Sequence, residues 1–262
     1  MSFFAEPGRE RPPLPRDADF YDGVAVTWLA QRLGVPRLLA FDQIGSTLDV
    51  AHTIAADSPS GTLVLADEQT AGRGRQGKRW RSAPGAGVWL TLIERPTDAR
   101  ALEVLALRCG LFAAEALDAL TGAPIGLKWP NDLFLPGGKL GGILIETRWR
   151  GTAADWVAIG FGVNVIAPEL QGSAGLPAGV TRLAVLDLLV PALRNAAAAS
   201  RHLSDGEVAR WHSRDVAMGR LLATPVRGRA SGVRADGQLL VTEPHGIVTA
   251  HRSGSLTFAE QT

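Results

Sequence analysis

Residues 125–165 read IGLKWPNDLFLPGGKLGGILIETRWRGTAADWVAIGFGVNV. Four apolar, partly β-branched runs lie within them, at 125–129, 133–135, 139–150 and 156–165. Such side chains suit a pleated, half-buried surface, so each run predicts a strand, and Pro136-Gly137-Gly138 predicts a tight turn. Upstream, 62–66 and 88–93 predict two further strands. The glycine- and arginine-rich segment 69–87 between them is too long for a hairpin turn, and long loops inside compact domains are usually functional or mobile.

Helices are expected around these strands. In 98–120, Leu102, Leu105, Cys109, Phe112 and Ala116 recur along one helical face, and Gly122 is a stop signal. Ser46 or Thr47 can cap a helix carrying Val50, Ile54 and Ala55. Asp22 can cap another with Val24, Trp28, Leu29 and Leu33, ended by Gly34 and Pro36. A loop at 171–179 precedes two more helices, 181–199 and 205–218. From Leu221 the composition changes to short runs at 225–228, 239–242, 246–250 and 255–258, separated by Asp236-Gly237 and Ser253-Gly254. Asp-Gly between apolar runs is a hairpin signal, so a small all-β domain is expected, docked on the larger one. The first 20 residues hold four prolines and seven charges and predict a disordered leader. The expected division is a leader at 1–20, a catalytic domain at 21–219 and a C-terminal domain at 220–262.

The 262 residues are 46% hydrophobic and 20% charged, a globular composition. Lys plus Arg number 27 against 26 Asp plus Glu, so no chain-wide basic field for nucleic acid exists. One cysteine forms no internal disulfide. Asp187 and Pro191 interrupt the most apolar stretch, and no signal-peptide core is present. A soluble cytoplasmic protein is expected.

Three segments carry chemistry. The first is Gly72-Arg73-Gly74-Arg75-Gln76-Gly77-Lys78-Arg79-Trp80-Arg81, with five basic residues and no acidic one. Glycine lets the backbone approach a ligand, and guanidinium groups match carboxylate or phosphate. The segment suits an anion, against the alternatives of a solvated basic loop or a single-strand nucleic-acid binder. The second is Lys128-Trp129-Pro130-Asn131-Asp132, with Lys139 and Gly141-Gly142 beyond it. A lysine, an amide and a carboxylate at the rim of an apolar core need partners or a ligand, unless they are surface groups of a strand-end turn. In the third, Gly160, Gly162 and Asn164 alternate along a strand, where a flat ligand or another backbone can lie. Cys109, on the apolar stripe of the long helix, reads as a core hydrophobe, and the five histidines show no metal-ligand spacing. Six of the seven tryptophans are expected in the core, with Trp80 the exception that can cover a ligand.

Taken in order, Ser46-Thr47, GRGRQGKRW (72–80), KWPNDL (128–133), KLGGIL (139–144) and GFGVN (160–164) closely resemble the biotin protein ligases, over roughly residues 40–258. The resemblance implies an α+β fold with a mixed central β-sheet flanked by helices, of the class II synthetase-like type, and a small C-terminal β-barrel-like domain. It implies an ATP-dependent ligase joining biotin to a carrier lysine through biotinyl-adenylate, with ATP and magnesium as the substrate complex and no permanently bound cofactor. The implied partner is the biotin carboxyl carrier domain of acetyl-CoA carboxylase or a related acyl-CoA carboxylase, met by a monomer or weak homodimer.

By the same resemblance, Ser46, Thr47, Leu48, Gln69, Gly72, Arg73, Gly74, Arg75, Lys139 and Gly142 serve biotin. Trp80, Lys128, Asn131 and Asn164 serve ATP. Lys139, Arg75 and Asp132 are catalytic, Asp132 by orienting or deprotonating the incoming lysine or by helping to hold magnesium. This chain departs from the family in Leu48, where Asn is common, in Gly141, where Ala is usual, and in Ser255, near where relatives often carry a glutamate. The relatives that bind DNA carry an added N-terminal domain, and with about twenty residues ahead of the ligase region no operator binding is expected. The alternatives are a lipoate or octanoate transferase of the same fold and a nucleic-acid module using the Arg-Gly loop.

Overall fold

The computed structural model describes residues 15–259. A hairpin of β1 (Phe20–Tyr21) and β2 (Val24–Ala25) opens it, followed by α1 (Val26–Arg32), β3 (Leu38–Ile44) and α2 (Thr47–Ile54). Next come β4 (Thr62–Gln69), β5 (Gly87–Glu94), α3 (Ala99–Glu103), α4 (Leu105–Leu117), β6 (Gly126–Lys128), β7 (Asp132–Leu135), β8 (Gly138–Arg150) and β9 (Ala153–Asn164). Two helices, α5 (Arg182–Ala198) and α6 (Asp205–Arg214), lead to β10 (Leu221–Thr224), β11 (Gly228–Val233), β12 (Leu239–Thr242), β13 (Val248–His251) and β14 (Thr257–Phe258).

The central sheet has seven strands in the order β3-β4-β5-β9-β8-β7-β6. Only β3 and β4 run parallel; the remaining pairs are antiparallel, so the sheet is mixed as expected. Side chains alternate across a strand, and the two faces part accordingly. Leu63, Leu65, Leu90, Leu92, Ile159 and Phe161 join the core beneath α4 and α5. Val64, Ala66, Ile93 and Ala158 join a second cluster with Leu48, Ala51 and Ile54 of α2. On that second face, β9 continues past Ala158 with Gly160, Gly162 and Asn164, and the apolar cover gives way to a cavity.

Several expectations change. The helix at 98–120 divides at Val104 into α3 and α4, because Asp98 caps a first short turn and Val104 leaves helical geometry at φ −112°, ψ 2°. Asp22 caps no helix: with Gly23 it takes positive φ in the β1–β2 turn, the backbone sign that two-residue hairpins demand. Strand β3 was not foreseen, and the helix expected at 205–218 ends at Arg214. The run 225–228 is the connection between β10 and β11 rather than a strand. Trp28 and Trp149 are exposed, so four of the expected six tryptophans, Trp89, Trp129, Trp156 and Trp211, are buried. The C-terminal strands form an antiparallel sheet, β13-β12-β11-β10-β14, which among the described residues closes into no barrel. Of the expected leader, residues 1–14 lie outside the described residues and Phe20 already belongs to β1.

Candidate functional site

One cavity of about 410 Å³ gathers nearly all the residues singled out in the sequence. Its inner end is built by the start of α2. Ser46 is extended and caps the helix, its hydroxyl accepting from Leu48 N at 3.3 Å. That turn holds Ser46, Thr47 and Leu48 together against the sheet, all three buried. Gln69, at the end of β4, accepts from Thr47 N at 2.9 Å and from its hydroxyl at 3.1 Å. The Leu48 side chain fills the space over Gly160, where a Cβ would come within 3.0 Å of Leu48 Cδ1. This end is uncharged, polar on the Thr47–Gln69 side and apolar on the Leu48–Leu144 side.

The cationic end is made by the basic loop, the β6–β7 connection and the start of β8, where Lys139 stands. Gly74 N donates to Lys78 O and Trp80 N to Gly72 O, so the loop is a hydrogen-bonded bight rather than open chain. Gly72 itself does not line the cavity: it is buried beneath Trp80, with no room for a Cβ, which would meet Trp80 O at 2.5 Å. Arg75 Nη1 donates to Asn131 Oδ1 at 3.3 Å, joining the first segment to the second. Burial holds the Arg75 guanidinium below its ordinary pKa, against the opposing pull of Asp132. Lys139 Nζ is 2.6 Å from Asp132 Oδ1 and 5.2 Å from the Trp80 ring. Gly142 leaves the space into which the Lys139 ammonium and Trp80 fit, each about 3.3–3.4 Å from where its Cβ would stand.

The remaining expected residues are placed as follows. Arg73 borders the cavity, but its guanidinium pairs outward with Asp49 of α2 at 2.9 Å and with Glu146 of β8. The other oxygen of Glu146 meets His52, and chiefly that bond, with Arg73, holds the carboxyl below its usual range. Lys128 sits between the rings of Phe134 and Phe258 at 5.6 and 5.2 Å, and burial lowers its pKa. Asn164 is buried, its amide donating to Ala174 O at 2.9 Å, which spends part of its hydrogen-bonding capacity inside the protein. The C-terminal sheet also contributes: Ser255, Leu256 and Thr257 line the cavity, and Ser255 Oγ donates to Gln76 Oε1 at 2.9 Å.

Cys109 is fully buried, and burial pushes its thiol up to about 12, so it is no nucleophile. Two groups near the cavity were not singled out, Thr91 and Glu146, whereas the segment at 255–257 was named only for its departure at Ser255. Only the odd polar residue in an apolar run could have signalled Thr91.

A mixed sheet that holds an uncharged slot at one end of a cavity and converging cations at the other defines a binder of a small acid together with a second anion. The model of the biotin/lipoate A/B protein ligase family matches residues 40–164. The biotin–[acetyl-CoA-carboxylase] ligase of Paracoccus denitrificans is 39% identical over 162 residues, covering 56% of this chain and 67% of that protein. The chain belongs to this biotin/lipoate protein ligase family. The bifunctional ligase/repressor of Bacillus subtilis is 39% identical over 131 residues, which span 49% of this chain and 40% of the relative. The chain thus spans well under two thirds of the bifunctional relatives it matches. Among solved structures, the Aquifex aeolicus biotin protein ligase in complex with biotin and ATP has a TM-score of 0.66 at 25% identity, covering 86% of this chain and 100% of that one.

Proposed function

We propose that this chain is a biotin–carrier protein ligase. Biotin's carboxylate attacks the α-phosphorus of ATP, pyrophosphate leaves, and a carrier lysine then displaces AMP from the mixed anhydride to form an amide. One observation carries the reading: Arg75 and Lys139, from separate segments, face one cavity whose other end is the uncharged slot of Ser46, Thr47 and Gln69. Two anions repel, and cations fixed between them offset the repulsion and the charge that develops on phosphorus. The slot suits a neutral ring head, with the carboxylate reaching toward Lys139. The nucleotide lies at the Trp80, Lys128 and Asn131 end. Asp132, paired with Lys139, is the carboxylate nearest the reacting centre. Magnesium is taken to arrive with ATP as part of the substrate, and Asp132 is the one carboxylate among the described residues that lines this cavity and could contact it.

The protein substrate we infer is the biotin carrier domain of an acyl-CoA carboxylase, in keeping with the name of the Paracoccus relative, a biotin–[acetyl-CoA-carboxylase] ligase. Among the described residues no helix is long and apolar enough to cross a membrane. The deciding experiment is ATP–pyrophosphate exchange with biotin, lipoate or octanoate. Exchange with biotin alone is expected; exchange with lipoate alone, or acyl transfer lost on Cys109→Ser with folding intact, would reassign the chain.

A further inference from the structure

Strand β5 buries one hydroxyl among apolar neighbours: Thr91, between Leu90 and Leu92, has no exposed surface. It does not line the cavity, yet its Oγ1 donates to Thr47 Oγ1 at 2.9 Å. Thr47 Oγ1 donates onward to Gln69 Oε1, and Gln69 Nε2 donates to Ser82 Oγ at 2.8 Å. The chain therefore runs Thr91, Thr47, Gln69, Ser82, and only its two middle members face the cavity. A hydroxyl has one proton. With Thr91 donating into it, the Thr47 oxygen keeps its own proton for Gln69, and Gln69 turns its carbonyl to Thr47 and its amide nitrogen to Ser82.

We propose that Thr91 is a positioning residue for the uncharged end of the cavity. By donating to Thr47 it fixes that hydroxyl's rotor, and through it the Gln69 amide, in the arrangement that receives a polar ring head. The assignment rests on the ligase reading, under which that head is the cyclic urea of biotin. Neither end of the hydrogen-bond chain lines the cavity, so the effect expected is on ligand affinity and not on the reacting atoms.

The test uses the full chain in biotin-dependent ATP–pyrophosphate exchange. Thr91→Val keeps the shape and removes the donor; Thr91→Ser keeps the donor. Losing one neutral hydrogen bond is expected to raise the biotin KM roughly fivefold in Thr91→Val, while Thr91→Ser stays within about twofold of the parent. The KM for ATP and kcat should hold in both. Thr91→Ala supplies a second donor-free variant should Thr91→Val fail to fold, with thermal unfolding as the control. Adding Thr91→Val to Thr47→Val should cost nothing further in biotin KM. An unchanged biotin KM in Thr91→Val, equal impairment in Thr91→Ser, or additive losses in the double variant would overturn the proposal alone. Absence of biotin-dependent exchange in the parent would overturn the ligase reading and this inference with it.

Discussion

The Trp80 indole lies across Gly162 of β9: a Cβ added to that glycine would stand 2.5 Å from Trp80 Nε1. Two glycines in a buried strand signalled that something flat rests there. In this structure the covering groups come from the chain itself, the flat Trp80 indole over Gly162 and the branched Leu48 side chain over Gly160. The basic loop is thereby pinned to the sheet by a side chain that also sits 5.2 Å from the Lys139 ammonium. Gly162→Ala must displace the indole, and overpacking of this kind costs about 1–3 kcal/mol. The expected outcome is a red-shifted tryptophan emission and a raised KM for ATP, with biotin binding little changed. An unshifted spectrum would show that Trp80 is not held by this contact.

On the proposed reading Lys139, with its ammonium 2.6 Å from Asp132 Oδ1, offsets charge where carboxylate and α-phosphate meet. Lys139→Met removes the charge and keeps much of the bulk. Adenylate formation should fall about 10- to 150-fold, the worth of one charge-assisted contact of about 1.5–3 kcal/mol. Transfer from supplied biotinyl-adenylate should fall less. Equal losses in the two assays would deny Lys139 a preferential part in the first step.

Arg75 and Arg73 differ in ways their shared loop does not announce. Arg75 is directed to Asn131 within the cavity, whereas Arg73 is spent on Asp49 and Glu146 outside it. Arg75→Ala should therefore release the adenylate faster, read as promiscuous lysine labelling and a higher off-rate. Arg73→Ala should act through loop order, and Glu146→Gln should reproduce its direction at smaller size. Off-rates unchanged in Arg75→Ala would remove it from the adenylate's surroundings.

These differences mark where sequence reasoning stops. The strands at 125–165, the cap at Ser46 and the hairpin at Asp236-Gly237 were legible because they depend on local period and turn chemistry. Strand β3 was missed because LLAFDQI lacks clean alternation, even though Gly34-Val35-Pro36 and Gly45-Ser46 flank it, and its parallel partner β4 is brought in only by the fold. Trp28 and Trp149 were misplaced because an aromatic beside a regular element carries no record of which face meets solvent. In the site, residue types disclosed the cations, but pairing is tertiary. Nothing local tells Arg73 from Arg75, and Thr91 acquires meaning only when α2 is laid over β5.

Cys109 offers a test of the competing acyl-transfer chemistry. Fully enclosed on α4, with its thiol pushed up to about 12, it has no route to substrate and no thiolate at neutral pH. Cys109→Ala should keep full ligation activity and lose on the order of 1 kcal/mol of stability through the small cavity it leaves. Loss of activity with an unchanged unfolding temperature would restore the transferase reading.

Asp215, just past α6, is buried with Oδ1 accepting from Ala217 N and Oδ2 without a hydrogen-bond partner among the described residues. Burial is the main cause that pushes its carboxyl up to about 6, with the Ala217 amide and His212 opposing. The sign follows from linkage: a carboxyl whose folded pKa lies above its unfolded value binds protons more tightly in the folded state, so stability falls as pH rises from about 4 to about 6. Above that window the buried carboxylate is a standing cost, of order 2–3 kcal/mol for a shift of this size. Asp215→Asn keeps the Oδ1 acceptor and removes the charge. It should match the parent near pH 4 and become progressively more stable than it up to about pH 7, with the difference constant beyond. Calorimetric unfolding of both proteins across pH 4 to 8 measures it; parallel stability curves would mean that the Asp215 carboxylate is solvated or paired in the folded protein.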